Sequence, residues 1–101
     1  MFTSKDVRLC INAIRYEDAN MTIEYAMEHL FSFFTLCFRC IEKIRLIAKG
    51  EKNISLERQE CLALMTELDA ARKHKEKNGF VKCRYKDKTI IDLITRLEKY
   101  T

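Results

Sequence analysis

Cys37-Phe38-Arg39-Cys40 sets two thiols three residues apart, the spacing of half a zinc site. Cys61, Cys83, His29 and His74 are the residues able to complete it. The surroundings oppose that chemistry. Both cysteines fall in an apolar run with Phe33, Phe34 and Ile41, and no second short-spaced pair accompanies them. Thiolates placed there lose hydration without gaining ligands, so Cys37 and Cys40 read as small buried hydrophobes, and neither metal nor cofactor is expected. Thioredoxin-like exchange needs its attacking cysteine at a helix N-terminus, and none is near. Cys83 differs, because Lys82 and Arg84 flank it and favour its thiolate. No histidine is adjacent to serve it as a base, so catalysis there is not expected. His29 reads as a boundary residue of the apolar run, and His74 as part of a charged one.

Catalytic signatures are missing: there is no G-x-S-x-G, no H-E-x-x-H, no phosphate loop and no dinucleotide fingerprint. Carboxylates such as Glu24 and Glu28 are spaced as solvated neighbours on a helix face. The chain is not expected to be an enzyme.

Charge carries more information. Residues 1–71 hold nine Lys/Arg against eleven Asp/Glu, and residues 89–101 balance. Residues 72–88 hold Arg72, Lys73, Lys75, Lys77, Lys82, Arg84, Lys86 and Lys88 against Glu76 and Asp87, a local net of +6. Phe80 and Tyr85 interleave with these cations. Two readings follow. In one, the lysines complement a helix C-terminus and keep the surface soluble, while Phe80 folds back on the helix stop at Gly79. In the other, the segment holds nucleic-acid backbone, with Tyr85 among the contacts if bases stack. Anionic lipid suits it less well, since no apolar face runs beside the charges.

The elements that must position these groups are helical. With no Pro, two Gly and 48% apolar residues, breakers are too few for a turn-rich β fold. Ser4 is read as the cap of a helix burying Val7, Cys10, Ile11 and Ile14; Asp18 or Asn20 caps a second that Gly50 ends. Ser55 caps a third, burying Cys61, Leu64, Met65, Leu68 and Ala71 and ending at Asn78-Gly79. Thr89 and Asp92 form a capping box for the last, with Ile90, Leu93, Ile94, Leu97 and Tyr100 on its apolar side. The expectation is one all-α domain over 1–101, a four-helix arrangement with helices at about 4–16, 21–49, 56–77 and 89–100. Residues 80–86 are ambiguous between extended and helical.

The second helix is read as the spine, nearly apolar all round. Ile23, Met27, Leu30, Phe34, Cys37, Ile41, Ile44 and Ala48 recur at alternating spacings of four and three. With Phe33, Leu36, Cys40 and Ile47 on one flank and Phe31 and Phe38 on the other, the arc spans roughly 220°. A helix lying on a single core needs little more than ~100°. These six flank residues are therefore the expected homodimer interface, or the surface that receives a partner's helix.

Five cysteines, an odd number, with no apolar leader in the first twenty residues, point to an intracellular protein, cytoplasmic or nuclear. The longest uncharged run, 30–38, is nine residues, against about 20 for a membrane span. The function expected is a small homodimeric helical module binding nucleic-acid backbone through 72–88. The alternative is a protein-interaction module whose second helix offers an apolar groove.

Overall fold

The computed structural model describes the backbone of residues 1–18, 23–74 and 85–101, and the side chains of 1–14, 35–73 and 85–101. The described residues form four helices: α1 (Ser4–Asp18), α2 (Ile23–Ala48), α3 (Arg58–His74) and α4 (Asp87–Glu98). The chain is all-α, and its radius of gyration of 13.3 Å is that of a compact globule.

Three helix starts use the same local device, which differs from the expected caps. α1 is capped by Thr3 rather than Ser4: the Asp6 and Val7 N–H groups donate to the Thr3 carbonyl, and the Thr3 N–H donates to Asp6 Oδ2 at 2.7 Å. That reciprocal bond is one arm of a capping box, and Phe2 and Val7, both buried, occupy the staple positions around it. α3 begins at Arg58, later than a Ser55 cap implies, with the Cys61 N–H donating to the Glu57 carbonyl. Leu56 and Cys61 hold the staple positions and are buried, so the chain enters the core before it coils. α4 starts at Asp87, two residues ahead of the expected box. Thr89 donates its N–H to the Lys86 carbonyl, and the Asp92 carboxylate turns to Arg96 at 3.1 Å. Half-buried Tyr85 and buried Ile90 flank this start.

Gly50 ends α2 as expected. It takes φ 93°, where L side chains are strained, and donates to the Ile47 carbonyl while Glu51 donates to that of Leu46. This is the double-bonded Schellman stop. The expected stop at Asn78-Gly79 and the ambiguity over 80–86 fall mainly outside the described residues.

Among the described residues, the helix that meets all three others is α3. It buries Cys61, Leu64, Leu68 and Ala71 completely, with Ala63 and two carboxylates, Glu60 and Glu67, beside them. Those positions span about 160° of a helical wheel, which is why one helix can serve three neighbours. From α2 the core takes Cys37, Cys40, Ile41 and Ile44; from α4, Ile90, Leu93 and Leu97. α1 contributes Val7, Leu9, Cys10, Ala13 and Ile14. Ile11, expected inside, lies 37% exposed. Met65, Ile94, Leu36 and Ile47 are partly buried against the core. None of the described helices is long and apolar enough to cross a membrane.

Candidate functional site

α1 presents three faces. The core face carries Leu9, Cys10 and Ala13. A second stripe, Val7, Ile11 and Ile14, runs beside α2 and, with Phe38 and Ile41, lines a groove of about 630 Å³. Phe38 is 56% exposed over this groove, and Glu42 and Arg45 close its rim. Arg45 Nε donates to Glu42 Oε2 at 3.0 Å, so the rim holds an acid and a base already paired within α2. The third stripe, Lys5, Arg8 and Asn12, lines a polar cleft of about 520 Å³ together with Asp6, Leu9, Tyr85 and Thr89. Asn12 Nδ2 donates to Tyr85 Oη at 3.2 Å across it.

The two flanks of α2 part company. On one, Cys40 has no exposed surface, so it belongs to the chain's own core and not to a subunit contact. Leu36 and Ile47 on that flank are half covered, with Leu36 at the edge of a shallow apolar patch with Leu62 and Ala63. On the other, Phe38 is 56% exposed. Phe31 and Phe33 lie outside the described side chains.

Compared with protein families, curated proteins and solved structures, this chain finds no significant match.

The basic segment is divided. Arg72 Nη2 lies 2.7 Å from Asp69 Oδ1, and Lys73 Nζ 2.8 Å from Oδ2, so both cations are held within α3. Those two bonds draw the Asp69 carboxyl below its ordinary pKa. Tyr85 packs partly against the core with its hydroxyl engaged by Asn12, which is not the posture of a free stacking platform. Lys86 and Lys88 are exposed. Lys75, Lys77, Lys82 and Arg84, with Cys83, fall outside the described residues, and so do the side chains of His29 and His74.

Cys10, Cys37, Cys40 and Cys61 meet in the core from three helices. Burial pushes every one of these thiols up, Cys37 to about 12, with the nearby Glu67 adding to the shift. The mutual contact of Cys40 and Cys61 adds to the rise at Cys40 and opposes it at Cys61. Neutral thiols in this setting are packing groups. No cluster suited to holding a metal ion is formed among the described residues.

Two ion pairs brace the frame around these surfaces. Lys43 Nζ donates to Glu60 Oε1 at 3.0 Å and lies 2.9 Å from Oε2, the closer approach lacking hydrogen-bond alignment. Arg96 grips Asp6 with both terminal nitrogens at 2.8 Å, and its Nη1 also donates to the Met1 carbonyl at 3.1 Å. The residues missed in the sequence are Ile11 for the groove and Lys5, Arg8 and Asn12 for the cleft. Their signal was present: 7, 11, 14 and 5, 8, 12 are both helical stripes on a short amphipathic segment.

Proposed function

We propose that the chain is a helical interaction module that associates through the α1–α2 groove, with the same groove of a second copy as occupant. The exposure of Phe38 beside Ile11, over the apolar floor of Val7, Ile14 and Ile41, carries this reading. Contiguous aromatic and aliphatic surface of this kind marks association sites in small soluble domains. A two-fold contact is self-complementary here. Each groove offers apolar floor at the middle and a rim where Glu42 and Arg45 already neutralise each other, so two copies can meet there without like-charge repulsion. Covering what remains open of Phe38 is worth roughly 1–2 kcal/mol per copy. Helix-in-groove docking of an apolar helix from another protein uses the same surface. Sedimentation across micromolar concentrations tests it: wild type is expected to dimerise and Phe38→Asp to remain a folded monomer. A wild type that stays monomeric throughout removes the second copy as occupant.

A second reading assigns nucleic-acid backbone binding to residues 72–88, supported by the exposure of Lys86 and Lys88 and by the local net charge of +6. It stands behind the first because Arg72 and Lys73 are already engaged by Asp69. Retardation of RNA or DNA at 50 mM salt, lost on changing Lys82, Arg84 and Lys86 to Glu, tests it. Each phosphate neutralised contributes about −0.9 to the log–log salt slope on duplex, or about −0.7 on single strands.

A further inference from the structure

We infer that the cleft between α1 and the start of α4 is a binding site for a phosphate group. Two exposed cations on one helical stripe, Lys5 and Arg8, stand over a cavity of about 520 Å³. Among the described residues neither has a salt-bridge partner, in contrast to Arg45, Arg72, Lys73 and Arg96, each of which is held by a carboxylate. Asn12 follows them on the same stripe, and the opposite wall adds two neutral hydrogen-bonding groups, Tyr85 and Thr89. Asn12 and Tyr85 already bond to each other at 3.2 Å, which fixes the side-chain amide and the phenol before anything enters.

The one acid lining the cleft does not cancel this charge. Both Asp6 carboxylate oxygens are taken by Arg96 at 2.8 Å, so the pair is locally neutral and Lys5 and Arg8 are left in excess. Asp87, in the first turn of α4, is the nearest other acid along the chain; it does not line the cavity. A guanidinium and an ammonium with hydroxyl and amide donors suit a tetrahedral oxyanion: arginine supplies a two-pronged contact and lysine a point charge. The volume is within the range of small-ligand sites, roughly 300–1,000 Å³. The shared chemistry is a phosphate, free on a small molecule or within a nucleic-acid strand. Lys5 and Arg8 lie outside 72–88, so this site stands apart from the basic segment.

The test titrates the full chain at 50 mM salt with pyrophosphate and, separately, with a short single-stranded oligonucleotide, following backbone amide shifts and affinity. Shifts are expected at Lys5, Arg8, Asn12, Tyr85 and Thr89. Lys5→Gln with Arg8→Gln is expected to weaken binding by roughly tenfold or more, whereas Lys52→Gln, on an exposed loop, leaves it unchanged. Pyrophosphate binding identifies a free phosphate as the source, and binding of the oligonucleotide alone identifies a strand. Retained affinity in the double variant overturns the site, as does absence of binding by either probe. Loss in a Lys86→Gln, Lys88→Gln variant with no loss in the α1 variant supports the basic segment and equally overturns this cleft.

Discussion

Asp6 and Arg96 join the two ends of the chain through a bidentate pair, both contacts at 2.8 Å, although ninety residues separate them. Asp6 is 7% exposed and serves twice, as the acceptor that closes the α1 cap at Thr3 and as the anchor for α4. Arg96 also lies over the Phe2 ring, 5.8 Å from its centroid, and Phe2 meets Tyr100 at 6.0 Å. Cap, ion pair and aromatic contact form one clamp on the first helix.

Breaking this clamp is expected to be costly. Arg96→Met leaves the Asp6 carboxylate buried without its counter-charge and should lower stability by on the order of 3 kcal/mol. Asp6→Asn combined with Arg96→Met should recover part of that loss, because no uncompensated charge remains. Denaturant unfolding of the two single variants and the double variant measures this.

The clamp also predicts acid sensitivity. Burial alone pushes the Asp6 carboxyl up, but Arg96 and the Thr3 N–H together outweigh it and leave the group below its ordinary value. A depressed folded pKa stabilises above the unfolded pKa, about 3.9, and that contribution is lost as pH falls through the folded value. Stability should therefore fall below about pH 4 in wild type, and less steeply in Asp6→Asn. Thermal melts between pH 7 and pH 2.5 distinguish them.

The buried thiols give the opposite signature. With its folded pKa pushed up to about 12, Cys37 stays protonated while the unfolded chain ionises from about pH 8.5 upward. The unfolded state then binds fewer protons, and stability should decline above pH 9. Cys37→Ala should soften that decline. It should also cost about 1 kcal/mol at neutral pH through lost volume, as should Cys40→Ala. A chromogenic disulfide reagent at pH 8 should reach Cys10, Cys37, Cys40 and Cys61 only at the rate of unfolding.

Lys43 and Glu60 make a matching case between α2 and α3. Glu60 is 2% exposed, and its hydrogen bond holds the Lys43 ammonium above its ordinary pKa. Lys43→Met strands a buried carboxylate and should destabilise by about 2–3 kcal/mol, more than Glu60→Gln, which removes the charge itself. Urea midpoints of the two variants rank them.

Phe38 and Ile41 separate association from folding. They sit three residues apart on α2, one 56% exposed and one buried. Phe38→Asp should cost the monomer much less stability than a buried substitution does while abolishing self-association. Ile41→Asp should leave no cooperative fold, since it buries a charge. Circular dichroism with sedimentation reads both effects in each variant.

The amino-acid sequence by itself determined the all-α class and the four helical segments to within a few residues at their described ends. It also set the Gly50 stop, because these depend on spacing and backbone freedom within a turn or two. The starts of α1, α3 and α4 were less legible. Ser4, Ser55 and Thr89 carry good capping side chains, yet burial of Phe2, Leu56 and Tyr85 against the core sets where each helix begins. A local preference of about 1 kcal/mol for one cap over another yields to burial of a large side chain. Tertiary structure alone decided that α3 meets all three other helices. The wide apolar arc of α2 marks a helix seeking cover, but which helix provides it depends on how three others cross. Tertiary structure also brought Asp6 to Arg96 and Asn12 to Tyr85, and it left Ile11 and Phe38 facing one groove. Nothing within four residues of any of these side chains signals its partner. The contacts exist because chain segments far apart in sequence are held against a common core.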